Sequence, residues 1–307
     1  MIFLTALLSE EKIGGLCRVS IRPEENFDVA KIFDCGQSFR FERVENSLHE
    51  VEYSGIAFGR LVSFAQDGDT VYIYNSTAED YENIWKRYLC LDVDYADIDR
   101  ELLSLCDSAP FHEAIHYGNG IRILSQDPFE AIISFIISQN NNIPRIKQIV
   151  ERLSLWCGEP VSYPEGMEAH LSGHSSLYSF PTAERLNSLG IDGLFEAKTG
   201  FRAKYIYDAT ERILSGDVDI DRLFELSSTA EGVEYLCKIK GVGPKVASCI
   251  LLFACRRYDA FPVDVWIKKA MTRYFPDAEF SSDFFGQYAG IAQQYLFYYE
   301  RYLGGEK

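Results

Sequence analysis

Lys245 and Asp264 are the residues whose type and setting best suit covalent chemistry. Lys245 follows Gly241-Val242-Gly243-Pro244, so it falls in the first turn of a new helix, with proline suited to the opening position. A neutral amine is a nucleophile. An ammonium at a helix start, next to the apolar run Ile250-Leu251-Leu252-Phe253, is expected to lose its proton more easily. Cys249 comes four residues later and shares the face of Lys245. In Phe261-Pro262-Val263-Asp264-Val265-Trp266, Pro262 stops the chain and Asp264 suits the N-cap of the next helix. The helix dipole keeps a carboxylate ionised there. An amine and a carboxylate on consecutive helices make a nucleophile–carboxylate pair. Taken singly, Asp264 reads equally as a plain cap and the glycine turn as a packing turn, and both readings stay open on these residues alone.

The elements around the pair form a helix, a glycine hairpin and a second helix, at about 232–255. Gly241 and Gly243 allow a tight turn, and the free N–H groups at the second helix's start suit a phosphate. No strand precedes the turn and a third glycine is missing, which excludes a dinucleotide fingerprint. Residues from Phe27 to about Tyr81 read as strands: Val51–Phe58, Arg60–Phe64 and Thr70–Tyr74, with Asp67-Gly68 as a hairpin turn. From about Ile98 the pattern is helical. Asp127-Pro128 opens one helix and Ile143–Trp156 forms the next, with loop chemistry over Gly158–Gly173. Further helices are expected at Ala183–Leu189, Arg202–Leu214, Ile220–Leu226, Gly232–Lys238, Lys245–Cys255, Val265–Tyr274 and Asp283–Tyr302. The fold class is α+β: an N-terminal antiparallel β-sheet domain (1–97), then a helical body (98–307).

Composition agrees with an ordinary globular chain of 307 residues, 47% hydrophobic and 25% charged. Net charge is −16, which taken whole speaks against nucleic acid. Leu236 to Phe275 nevertheless carries eight basic residues against two acidic ones. This basic island is either a phosphate-binding face or a solvated helix face. No apolar run is long enough to span a membrane, and Met1–Leu8 lacks a signal peptide's basic start. The cysteines (Cys17, Cys35, Cys90, Cys106, Cys157, Cys237, Cys249 and Cys255) are scattered, which fits reduced thiols in the cytoplasm. The same scatter argues against zinc or an iron–sulfur cluster, and His49, His112, His116, His170 and His174 suggest no ligand set. We expect no metal and no cofactor.

The order helix, Gly-x-Gly hairpin, helix, Pro-Val-Asp resembles the helix–hairpin–helix DNA glycosylases, and within them the 8-oxoguanine DNA glycosylase/AP lyase branch. The resemblance covers most of the chain. Cys35-Gly36-Gln37-Ser38-Phe39-Arg40, Gly120-Ile121-Arg122-Ile123-Leu124 with Gln126-Asp127-Pro128, and Asn140-Asn141-Asn142-Ile143 with Arg145-Ile146 match the branch in order. So do Phe201-Arg202-Ala203-Lys204-Tyr205 and Tyr288-Ala289-Gly290 with Ala292-Gln293 and Phe297. No cysteine follows Cys255, unlike the iron–sulfur members of the superfamily.

The resemblance implies base flipping in duplex DNA that contains a damaged purine. Lys245 would attack the sugar to give a Schiff base, and Asp264 would stabilise the oxocarbenium-like sugar. The Gly36 carbonyl would accept N7–H, the hydrogen that 8-oxoguanine has and guanine lacks. Gln293 would read the pairing edge, while Phe297 and Cys249 would sandwich the ring. Asn140, Arg145 and Arg202 would hold the orphaned cytosine, and Phe201 would wedge into the stack. Gly241 and Gly243 would place the hairpin on the backbone. Trp266 stands where many relatives have a histidine on a phosphate, with Lys268 or Lys269 able to supply the charge. The family also implies a monomer, acting at the nucleoid of a bacterium or in a eukaryotic nucleus. The alternatives are a glycosylase for another damaged purine and a non-catalytic DNA-binding protein.

Overall fold

In the computed structural model, residues 5–23, 26–105, 107–172, 177–275 and 282–303 are described. Cys106, Gly173 and His174 lie outside them. The N-terminal part, up to Tyr74, holds a six-stranded antiparallel sheet of order β1-β2-β6-β5-β4-β3. Its strands are β1 Thr5–Ile13, β2 Leu16–Pro23, β3 Phe41–Arg43, β4 Val51–Ala57, β5 Arg60–Asp67 and β6 Thr70–Tyr74. The turn expected at Asp67-Gly68 forms: Asp67 pairs with Thr70, and Gly68 takes φ +52°. The strand reading of Phe27 to about Tyr81 fails at Val29–Asp34 and again at its end, where Ala78–Asp80 is helical. Within the stretch read as strands, α1 (Val29–Asp34) is a helix capped by the Asp28 carboxylate, which accepts from Lys31 N at 2.9 Å. Val29, Ile32 and Phe33 recur at helical spacing and pack on the sheet, where Phe33 stacks on Phe41 with ring centroids 4.4 Å apart.

The other face of the sheet is covered by the 158–172 stretch. Met167 is buried against Leu16, Ile56 and Leu61. His170 is part of this cover, its Nδ1 lying 2.7 Å from Glu52 Oε1 and its ring stacked on Tyr74. Glu52 is buried, yet hydrogen bonds from His170, Ser47 and Ser63 outweigh the burial and hold its pKa below the usual value.

The helical body is built on two helices that are apolar nearly all round, α2 (Pro128–Ser138) and α3 (Pro244–Cys255). Phe135 of the first stacks on Phe253 of the second, with centroids 5.4 Å apart and planes 14° apart. The final helix, α4 (Ala289–Leu303), is let in close by glycines. A Cβ at Gly290 would meet the Ala260 carbonyl and Leu252 at 2.5 Å, and one at Gly118 would meet the Tyr295 ring at 2.5 Å. Among the described residues no helix is long and apolar enough to cross a membrane.

Buried polar contacts join the sheet to the helical body. Gln37 donates through Nε2 to the carbonyls of Ile32 and Arg122, at 2.9 and 2.8 Å, and accepts from Leu124 N at 2.8 Å. Arg256 and Asp92 form a bidentate pair at 2.8 and 2.9 Å. Arg40, buried at the same seam, donates to the Tyr178 carbonyl and lowers the pKa of Glu130 in the first turn of α2. Burial outweighs that pull, with Asp127 acting in the same sense as burial, and pushes Glu130 up to about 7.

Two expected outcomes follow from these packings. A raised carboxyl pKa stabilises the fold below about pH 4.5, and the benefit is lost as pH rises through about 7. Glu130→Gln should therefore gain on the wild type by on the order of 2 kcal/mol between pH 5 and pH 8. Urea denaturation at both pH values measures this, and a constant difference would refute it. At Gly241, φ is +83° and a Cβ would collide with the Tyr205 ring. Gly241→Ala should cost about 2 kcal/mol or more in the same assay; an unchanged midpoint would show that the hairpin is not clamped there.

Candidate active site

The hairpin expected at about 232–255 is formed by the helix Thr229–Leu236, the turn, and α3. Gly243 is the N-cap of α3 and makes no side-chain cap, and a Cβ there would meet nothing within 4 Å. The turn therefore presents uncapped helix N–H groups at an open surface, the arrangement that accepts a phosphate.

Lys245 is exposed at this helix start, while Val246, Ala247 and Cys249 turn inward. The desolvated setting expected for its amine is absent, because the apolar run of α3 faces the core and its first turn projects beyond it. The charge of Lys245 is felt at the Cys249 thiol. Burial pushes that thiol's pKa up, against the pull of the Lys245 charge and with help from Asp264. Cys249 thus stays a neutral, polarizable wall beside the amine. Asp264 is the N-cap of the helix Val265–Tyr274, and its Oδ1 accepts from Trp266 N and Ile267 N at 2.9 and 2.8 Å. The cap reading and the pair reading are thus compatible: the cap fixes the carboxylate, and its charge is felt at Cys249, as is that of Lys245.

A second group surrounds Gly36, whose φ is +82°. A Cβ there would lie 3.1 Å from Ile143 Cδ1 and 3.4 Å from both Phe297 Cε1 and Arg301 Nη1. Phe297 belongs to α4, four residues after Gln293 and so on the same face. Gln293 is 5% exposed, and its amide oxygen has no hydrogen-bond partner. Such an atom costs free energy unless something that enters the site completes it. Its neighbour Gln294 is satisfied, donating to the Cys35 carbonyl at 2.8 Å and so holding the Gly36 loop on α4. Through Gly290, packed on Tyr258 and Ala260, the same helix abuts the segment that leads to Asp264.

A third group collects Asn140, Arg145, Phe201 and Arg202. Phe201 is 49% exposed, and Arg145 and Asn140 are exposed as well. Arg202 departs from its expected role. It is 3% exposed, and four of its five N–H groups go to protein carbonyls. Nε and Nη2 donate to Gln139 O, Nη2 also to Asn140 O at 3.0 Å, and Nη1 to Thr199 O at 3.2 Å. Burial and the charge of Arg145 lower its pKa below the usual value. Arg202 braces the asparagine turn and leaves Arg145 as the open fork.

Trp266 does not lack a charge, because the Lys269 ammonium lies 4.2 Å from its ring centroid. Lys268 is exposed. Within the basic island, Arg256 and Arg257 point inward to Asp92 and the Leu226 carbonyl. The exposed charges are those of Lys238, Lys240, Lys245, Lys268, Lys269 and Arg273. Among the described residues no cluster of His, Cys, Asp or Glu is fit for a metal. No role was assigned from sequence to Gln294, Tyr205 or Arg301. Tyr205 lay in the matched Phe201–Tyr205 motif, and Gln294 was signalled as a second glutamine in an apolar stretch.

Comparison with known proteins places this geometry. Residues 19–132 match the model of the 8-oxoguanine DNA glycosylase N-terminal domain. The chain is 31% identical over 288 residues to the N-glycosylase/DNA lyase of Arabidopsis thaliana, covering 86% of this chain and 75% of that protein. It is 34% identical over 204 residues to a probable N-glycosylase/DNA lyase of Methanothermobacter thermautotrophicus, covering 60% of this chain and 65% of that one. The structure superposes with TM-score 0.83 and 38% identity on the Clostridium acetobutylicum 8-oxoguanine glycosylase/lyase bound to double-stranded DNA with cytosine opposite 8-oxoguanine, covering 97% of this chain and 99% of that one. By sequence over most of both chains, and by fold over nearly all of them, this protein belongs to the 8-oxoguanine DNA glycosylase family.

Proposed function

We propose that this protein excises 8-oxoguanine from duplex DNA where it faces cytosine, and then cleaves the strand at the abasic sugar. The observation that carries the proposal is the unsatisfied, buried Gln293 amide on the helix face that also presents Phe297 to Gly36. A purine edge supplies what the amide lacks, and the Gly36 carbonyl accepts N7–H, which guanine does not have.

The flipped base lies between the Phe297 ring and the neutral Cys249 thiol. As the C1′–N9 bond breaks, its electron pair leaves with the base, and the sugar gains positive charge. Asp264, fixed in place as a cap, stabilises that charge. The Lys245 ammonium passes its proton to the departing base anion, and the free amine forms a bond to C1′. Ring opening yields a protonated Schiff base, loss of a C2′ proton follows, and the 3′ phosphate departs by β-elimination. Incoming DNA covers the exposed amine and supplies the water exclusion that the free protein lacks. Arg145, on the turn braced by Arg202, donates to the cytosine edge while Phe201 fills the gap in the stack. The hairpin N–H groups of Gly241, Gly243 and Lys245, with Lys238, Lys240, Lys268 and the Trp266–Lys269 pair, hold the backbone. The chain thus works in the compartment that holds the chromosome.

Borohydride should trap a covalent adduct on an 8-oxoguanine:cytosine duplex, and Lys245→Gln should abolish it; trapping that survives would remove Lys245 from this role. Asp264→Asn keeps the cap acceptor but not the charge, and should slow excision roughly 10²–10³-fold with little change in melting temperature. Arg145→Ala should relax the preference for cytosine over adenine opposite the lesion by about 1–3 kcal/mol. Single-turnover rates on the two duplexes measure this, and an unchanged ratio would assign Arg145 to the backbone.

A further inference from the structure

Phe201, which fills the gap in the stack, and the hairpin that holds the backbone are joined by one helix. That helix, Ala203–Leu214, begins directly after Phe201-Arg202. Tyr205 lies four residues after Phe201, and its ring stands nearly perpendicular to the Phe201 ring, with centroids 6.0 Å apart and planes 80° apart. Its other contact reaches across the fold. A Cβ at Gly241 would collide with Tyr205 Cγ, Cδ1 and Cδ2, so the ring lies against the bare Cα of the hairpin. Three residues on, and on the same face, Asp208 Oδ2 accepts from Lys240 N at 2.7 Å and from Arg212 Nε at 2.9 Å. Tyr205 and Asp208 thus hold adjacent residues of the hairpin. Phe201 is steadied as well by Arg202, whose guanidinium carbon lies 4.4 Å from its ring centroid. Arg202 is itself fixed by the carbonyls of Gln139, Asn140 and Thr199.

A half-exposed ring that enters a base stack gains from being aimed beforehand, because the freedom it would lose on insertion is already lost. Its aim must also be set against the phosphates, and these are held by the hairpin. Tyr205 touches both. We propose that Tyr205 is a positioning residue: it transmits the seating of the hairpin on the backbone to the Phe201 ring, so that the wedge is in register before the base leaves the stack. The inference rests on the wedge role given to Phe201 above. Both contacts are made by the ring of Tyr205, not by its hydroxyl. A flat ring suits the task, because Gly241 offers it a surface free of side chain and Phe201 takes a perpendicular aromatic neighbour.

The test is a double-mutant cycle read by single-turnover excision of 8-oxoguanine opposite cytosine, with the wild type, Phe201→Ala, Tyr205→Leu and the double variant. Tyr205→Leu should slow excision about 3- to 10-fold while Phe201 is present. Once Phe201 is Ala, the same change should cost less than about 2-fold, because the residue it acts through is gone. Tyr205→Phe, which keeps the ring, should rescue the rate and the dependence on Phe201. Tyr205→Met leaves a flexible apolar filler over Gly241 and repeats the cycle where leucine unsettles the hairpin. Equal slowing in both Phe201 backgrounds would confine Tyr205 to supporting the hairpin and overturn the proposal, as would an unchanged rate in Tyr205→Leu. Phe201→Ala that excises as fast as the wild type would overturn the wedge reading, and this proposal with it; a wild type that does not excise the base would overturn the proposed substrate before the cycle is closed, and the proposal falls with that too.

Discussion

The amide of Gln37 is buried where water cannot serve it, so its polar atoms must find protein partners. Nε2 takes the Ile32 and Arg122 carbonyls and Oε1 takes Leu124 N, while the Gln37 carbonyl accepts from Gln126. One side chain thereby joins the end of α1, the loop at Gly36 and the segment that enters α2. Its neighbour across the seam, Gln294, fastens Cys35 to α4 from the other side. Between these anchors Gly36 has no freedom to drift. The proposed reading of N7–H by this carbonyl requires that rigidity, because a loose acceptor would settle for either base.

The same fixity extends to Lys245 and Asp264 by a different route. α3 is set by its apolar surface in the core, and its exposed first turn carries Lys245. Asp264 is set by its own cap bonds to Trp266 and Ile267. Neither group depends on the other for its position. Cys249 joins them electrostatically, and its burial keeps it neutral. A charged thiolate at that wall would hold the amine as an ammonium and repel Asp264, so neutrality there serves the chemistry.

An acidic protein of net charge −16 can act on DNA because charge is sorted by place. The lysines of the basic island stay exposed around the hairpin, while Arg256 and Arg257 join the helices to the rest of the fold. Arg202 makes a similar division beside the exposed Arg145 and Phe201. By bracing the Gln139 and Asn140 carbonyls it shapes the turn that presents Arg145.

Local physics made much of this legible in the chain itself. Caps at Asp127 and Asp264, the prolines that open α2 and α3, the Asp67-Gly68 turn and the hairpin glycines act within a few residues, so residue type and spacing determine them. The ordered motifs from Gly36 to Phe297 carried the family. β1 was illegible because it lies at the sheet edge with most side chains in water, so no buried face imprinted an alternation on it. α1 did carry its apolar spacing, but it sits inside a strand-rich stretch. Other features had no local signature at all. The bracing of Arg202, the stacking of His170 on Tyr74, the seating of Tyr205 on Gly241 and the orphaned Gln293 oxygen depend on residues tens to hundreds of positions apart. The sequence alone determined which residues were available and which local turns would hold them. Only the tertiary structure decided which polar groups found partners, because satisfaction of a buried group is a property of the packed core and not of its neighbours in the chain.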